Sequence, residues 1–108
     1  MRYLFLICVD PSIDPDEAPG EIDAWVDRVG GARQTGGPLR GPKSAATVRV
    51  RRSERLVSDG PFAETKEIVA GFDVIECASR DEAIEFAAAH PVAKFGAIEV
   101  RELVPDDD

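Results

Sequence analysis

The opening stretch of the chain is apolar at both parities. Leu4, Leu6 and Cys8 fall on one face, and Tyr3, Phe5, Ile7 and Val9 on the other. Continuous apolarity over this length predicts a strand, Arg2–Asp10, covered on both faces. Asp10-Pro11 stops it, and Pro11 to Gly20, rich in Pro and Asp, predicts a loop. The period then changes. Ile22, Trp25, Val26 and Val29 fall at i, i+3, i+4 and i+7, one helical face within Glu21–Gly31. Pro19 and Glu21 suit its first turn and Gly30-Gly31 its end. Residues 32–44 contain Gly36-Gly37-Pro38 and Gly41-Pro42 and predict a broken extended segment.

Strict alternation follows in Ala46–Arg52, with Val48 and Val50 expected inward and Thr47, Arg49 and Arg51 outward. Ser53-Glu54 suits a short turn, and Leu56-Val57 begins the return of a hairpin. Asp59-Gly60-Pro61-Phe62 breaks the pattern, and Ala63–Glu67 reads as one helical turn. Ile68–Cys77 predicts a long strand. Ser79-Arg80-Asp81-Glu82 is a capping box for a second helix, whose core face is Ala83, Ile84, Ala87 and Ala88. His90-Pro91 ends that helix, and Gly96–Val104 returns as a strand. The order β-α-β-β-β-α-β predicts an α+β domain on the ferredoxin-like split β-α-β plan, with an extra hairpin. Two helices cover one sheet face. The other face needs a cover, and a symmetric second copy supplies one. A homodimer through Tyr3–Val9 and the strand around Phe72 is the expectation.

Composition narrows the classes of function. The chain has 108 residues, 44% hydrophobic and 31% charged, which is one globular domain over residues 1–104 with an acidic tail at 105–108. Two cysteines cannot make a disulfide scaffold and suit a reducing, cytoplasmic setting. Tyr3–Val9 is far shorter than the about 20 residues that span a bilayer and lacks the length of a signal peptide, so no membrane partner is expected. The net charge of −8 is unevenly placed: residues 1–27 carry −6, residues 28–55 carry +7 and residues 56–108 carry −9. The basic middle has no interleaved aromatics to stack bases, and the acidic whole opposes phosphate, so nucleic acid is not an expected partner.

Candidate chemistry concentrates in one stretch. Asp59-Gly60-Pro61-Phe62-Ala63-Glu64-Thr65-Lys66-Glu67 packs carboxylates around a lysine on a backbone shaped by Gly and Pro. One reading is a turn that buries Phe62, with Asp59 bonding backbone amides. The other places Asp59, Glu64 and Glu67 around a pocket mouth, with Lys66 as counter-charge, where carboxylates of split pKa supply an acid and a base. His90 is the single histidine and reads either as a partly exposed residue at the end of the second helix or as a catalytic group. Cys8 and Cys77 lie in apolar strands and read as inert thiols. Trp25 reads as packing, and Arg49 and Arg101 as ion-pair partners. No His/Cys/Glu spacing suggests a metal site, the glycine pairs lack phosphate-loop context, and no cofactor is expected.

The nine-residue stretch resembles the DGPF family of YCII-related proteins. Met1-Arg2-Tyr3-Leu4-Phe5-Leu6-Ile7, Ala70-Gly71-Phe72, Asp81-Glu82-Ala83-Ile84-Glu85 and Gly96-Ala97-Ile98-Glu99-Val100-Arg101 extend the resemblance over nearly the whole chain. It implies a dimeric α/β barrel without implying one reaction. Some members are encoded beside extracytoplasmic-function sigma factors, which implies a regulatory link. The wider group includes a dehydrochlorinase, similar in plan, with a His/Asp pair whose histidine lies on the first helix. Glu21–Gly31 contains no histidine, so that mechanism does not transfer. The resemblance would put the aspartate of such a pair at Asp59. Three classes of function stay open: an acid/base enzyme using Asp59, Glu64, Lys66 and His90 on a small organic substrate, a ligand-binding regulatory dimer, and a protein-interaction dimer.

Overall fold

The computed structural model describes residues 1–106. Six strands and two α-helices follow in the order β1 (Arg2–Val9), α1 (Glu21–Val29), β2 (Arg33–Pro38), β3 (Ala46–Arg51), β4 (Glu54–Asp59), β5 (Ile68–Glu76), α2 (Arg80–Ala88) and β6 (Ala97–Glu102). The main sheet has four strands in the order β2-β5-β1-β6, all antiparallel neighbours. The broken segment at 32–44 thus supplies β2, an edge strand in which Gly and Pro are tolerated because only one side is paired.

Strand parity decides the two faces. Tyr3, Phe5 and Ile7 of β1 and Ile75 of β5 turn towards Trp25, Val29, Ala83, Ala87 and Val92 to form the buried core. The opposite face carries Leu4, Leu6, Phe72 and Val74, paired in register and half-buried by one another. The two-sided apolarity of β1 therefore has helices over one face, while on the other Leu4 and Leu6 pack only sideways against Phe72 and Val74 and stay partly open. The second helix keeps its capping box, with the Ser79 side chain accepting from the Glu82 amide at 3.1 Å. Its apolar stripe is narrower than expected, because Ala83 and Ala87 are buried while Ile84 and Ala88 are exposed.

β3 and β4 form a separate two-stranded sheet. Val48 and Val50 do not turn inward: Val50 is 60% exposed, because the hairpin pairs only with itself and has no layer to bury against. The turn sits at Arg52 and Ser53, both in the left-handed region with φ of 52° and 66°. A two-residue hairpin loop demands that conformation. Nor does Ala63–Glu67 form a helical turn; it runs as bends. The hairpin makes the molecule wide and thin, 47 × 42 × 18 Å. Its radius of gyration is 15.9 Å, against about 13 Å for a compact domain of this length. Of the acidic tail, Asp106 lies 3.9 Å from Arg2, and Asp107 and Asp108 lie outside the described residues.

Candidate functional site

A cavity of about 450 Å³ opens between the helix-covered face of the sheet, α1 and the Pro11–Gly20 loop. Its walls are mainly apolar, from Ile7, Val9, Ile22, Trp25, Val26 and Phe95 among others, and set into them are Asp10, Arg33, Asp73 and His90. A pocket of this size and lining suits a small organic molecule.

His90 is the deepest of the four. It lies beyond the end of α2, where it caps the short 3₁₀ turn Pro91–Lys94, and only 3% of it is exposed. This corrects the expectation of a partly exposed residue on the second helix. Pro91 forces the chain out of the helix, and the ring turns inward to meet Trp25 edge-on, with centroids 4.6 Å apart. Trp25 is held in turn by an Nε1–H bond to the Phe86 carbonyl at 2.9 Å. The Val92 amide donates to His90 Nδ1 at 3.0 Å. The neutral ring must then carry its proton on Nε2. Burial holds the imidazole below its ordinary pKa, and the nearby Asp73 carboxylate opposes that shift.

Asp73 sits at an inward position of β5 and is buried, and its Oδ1 accepts from Arg33 Nε at 2.7 Å. Arg33 opens β2, and Gly36 stands directly opposite Asp73 across the β2–β5 pair. A Cβ at position 36 would collide with Asp73 Oδ1 and lie 2.7 Å from Arg33 Nη2. Glycine there makes the space in which the guanidinium folds back over the carboxylate. Asp10 follows β1 and lines the cavity. Its Oδ1 accepts from the Ser12 amide at 2.9 Å and from the Ser12 hydroxyl at 2.7 Å, and Lys66 Nζ lies 3.5 Å from Oδ2. The Ser12 bonds, then the lysine, hold its carboxyl below the usual carboxylate range against the opposing effect of burial.

The residues of the Asp59–Glu67 stretch do not converge. Asp59 ends the exposed β4 and lines neither this cavity nor the second one, so it is not placed as a partner for His90. Glu64 and Glu67 line a second, more open cavity of about 700 Å³ beside Arg40 and Lys43. Lys66 alone reaches the first cavity, through Asp10. Phe62 is 80% exposed and not buried; it lies with its ring centroid 5.4 Å from the Arg49 guanidinium carbon. Gly60 and Pro61 shape the backbone. Gly60 has φ 99°, its amide donates to the Ala45 carbonyl at 2.7 Å, and its carbonyl accepts from the Thr47 hydroxyl at 2.9 Å. The thiols of Cys8 and Cys77 are both pushed up by burial, which disfavours the reactive thiolate. Arg101 meets Glu99 along β6 at 3.8 Å.

Sequence reasoning passed over Asp73 and Arg33. A signal for Asp73 was present: in the alternation Gly71, Asp73, Ile75, Cys77 it is the charged residue at a core parity. Arg33 gave none, since its role depends on the pairing of β2 with β5. Chemically, the group offers a carboxylate oxygen that can accept, a neutral imidazole N–H that can donate a hydrogen bond, and guanidinium N–H groups that can hold a polarised oxygen. Among the described residues no cluster of His, Cys, Asp and Glu is placed to hold a metal ion, and no helix is long and apolar enough to cross a membrane.

The fold is an α+β sheet with a polar group set in an apolar cavity. The family model of the YCII-related domain matches residues 1–106, and the chain belongs to that family. An uncharacterised protein of Rhizobium meliloti (strain 1021) is 52% identical over 64 residues, 56% of this chain and 50% of that relative. The chain spans about half the length of the curated relative it matches. Among solved structures, the 5-chloro-2-hydroxyhydroquinone dehydrochlorinase of Burkholderia phenoliruptrix AC1100, in complex with 2,5-dihydroxybenzoquinone, has a TM-score of 0.54 at 18% identity. The match covers 99% of this chain and 97% of that one. At that identity the likeness shows the fold alone.

Proposed function

We propose that this YCII-related protein binds a small organic molecule in the cavity beside His90 and performs acid/base chemistry on it. Asp73 is the base, taking a proton on Oδ2, and the neutral His90 donates a hydrogen bond from Nε2 to the oxygen on which negative charge develops. Arg33 positions Asp73, and Asp10 with Lys66 shapes the mouth. The observation that carries this reading is a buried imidazole and a buried carboxylate lining one apolar cavity. Polar groups that converge in a concave apolar site are the arrangement in which a reacting molecule is held. A structural neighbour named as a dehydrochlorinase of a hydroxyhydroquinone supports a small organic substrate.

The assembly proposed with it is a homodimer on the ferredoxin-like plan, joined through the open sheet face that carries Leu4, Leu6, Phe72 and Val74. The test of function is a screen of small organic fragments in deuterated water. Wild-type protein should bind some of them and exchange their acidic hydrogens for deuterium, and Asp73→Asn should bind without exchanging. Equal exchange by Asp73→Asn would overturn the assignment of the base.

A further inference from the structure

Resting on the reading of this cavity as a small-molecule site, we infer that its ligand is an uncharged carbonyl compound. The carbonyl oxygen sits between Arg33 and His90, and a compact apolar body fills the remainder.

Hydrogen-bond accounting comes first. Arg33 spends only Nε on Asp73. Among the described residues its two Nη groups, with four N–H donors, have no hydrogen-bond partner, and neither has His90 Nε2. No buried side-chain nitrogen or oxygen in the described structure lacks a partner, so these atoms open onto accessible space. His90 is otherwise enclosed, and the space it lines is the cavity. On the acceptor side, Asp10 Oδ1 is taken by Ser12, Oδ2 faces Lys66, and Asp73 Oδ1 is taken by Arg33. Asp73 Oδ2 is the one buried carboxylate oxygen left over, the Glu17 carboxylate being exposed. Five donors border the cavity against that one acceptor; Arg33 is partly open to water, and a ligand that displaces water from these groups without replacing its bonds binds at a cost. The ligand must therefore bring acceptors.

Charge then selects among acceptor-bearing ligands. The cavity is lined by Asp10, Glu17 and Asp73 against a single Arg33. A carboxylate or other anion would satisfy the donors but sit beside Asp73 with the cation already neutralised. An ammonium would suit the sign of the lining but adds donors where donors are in surplus. An uncharged carbonyl meets both conditions. Its oxygen accepts from Arg33 Nη and His90 Nε2, and its carbon chain meets the Ile7, Val26 and Phe95 walls.

The test uses three probes of one size: cyclohexanone, cyclohexanecarboxylate and cyclohexylamine. Each is titrated into wild-type protein while the indole N–H signal of Trp25 is followed by ¹H–¹⁵N NMR. Trp25 is the only tryptophan and lines the cavity. Cyclohexanone is expected to bind at least tenfold more tightly than either charged probe. Arg33→Lys, which keeps a cation for Asp73 but removes the guanidinium fork, should weaken the ketone at least fivefold. Should that variant not fold, the ranking of the three probes on wild type decides alone. A charged probe binding as tightly as the ketone overturns this inference and leaves the small-molecule site standing. Failure of all three to move the Trp25 signal overturns both. Ketone affinity unchanged in folded Arg33→Lys overturns the placement of the oxygen.

Discussion

The cavity and the β3–β4 hairpin with its following loop treat charge in opposite ways. From Arg51 to Glu67 charged residues crowd together in sequence, yet they stand in solvent with Phe62 and Val57 exposed among them. Asp10, Arg33, Asp73 and His90 are far apart in sequence and meet in one apolar cavity. Density along the chain is what a solvated surface permits, because water screens neighbouring charges. Convergence in a core is tolerated only where each charge finds a partner, as Asp73 finds Arg33 and Asp10 finds Ser12 and Lys66. Local charge density therefore does not mark which charges meet in a cavity, whereas a single polar residue at an inward-facing position does.

The largest test of that contrast is the aromatic pair Phe5 and Phe62. Phe5 is fully buried in the core. Phe5→Ala should cost about 3–5 kcal/mol in urea unfolding, whereas Phe62→Ala should stay within about 0.5 kcal/mol. A large loss at Phe62 would mean that the hairpin region is covered in solution.

Two arginines give the next comparison. Arg33→Met leaves the buried Asp73 carboxylate without its cation and should cost about 2–3 kcal/mol. That is below the value for a fully enclosed pair, because Arg33 is itself partly open. Arg49→Met removes only a surface contact with Phe62 and should cost less than about 1 kcal/mol. Equal losses would erase the distinction between the two regions.

Assembly separates them again. Phe72→Glu puts a charge on the open sheet face and should weaken the proposed homodimer at least tenfold, about 1.4 kcal/mol, as seen by light scattering against concentration. Val50→Lys on the hairpin should leave the same curve unchanged. A wild-type protein that is monomeric at micromolar concentration would remove the dimer.

The smallest effect is in pH dependence. His90 is held neutral in the fold, so the unfolded chain binds its proton more readily. Stability that this residue contributes is complete above its ordinary pKa of about 6.5. It falls as pH drops through that value towards the lower folded one. His90→Gln should flatten stability over this window. Asp10, whose carboxyl is depressed, contributes stability that is complete above the ordinary carboxylate pKa of about 3.9 and is lost as pH falls through that value towards the lower folded one. The two windows should therefore separate in a pH series, and an unchanged slope in His90→Gln would place that histidine in contact with solvent.

Most of the sheet was legible from the chain. Parity in Tyr3–Val9 and Ile68–Cys77, helical spacing through Trp25, and the Ser79–Glu82 cap each depend on neighbours within a few residues, where the period of side chains is set by the backbone itself. The hairpin was legible as an element but not in its environment. Alternation shows which valines share a face; it does not show that nothing packs on that face.

His90 illustrates the remainder. Its position before a proline marked the end of a helix, but the inward turn of the ring depends on Trp25, which α1 supplies and α2 anchors. The sequence alone determined the strand and helix periods, the edge-prone glycines and the family. Only the tertiary structure decided which charges share a cavity. Pairing β2 with β5 brings Arg33 and Gly36 to Asp73, and such non-local registry is a property of the assembled sheet that no local pattern encodes.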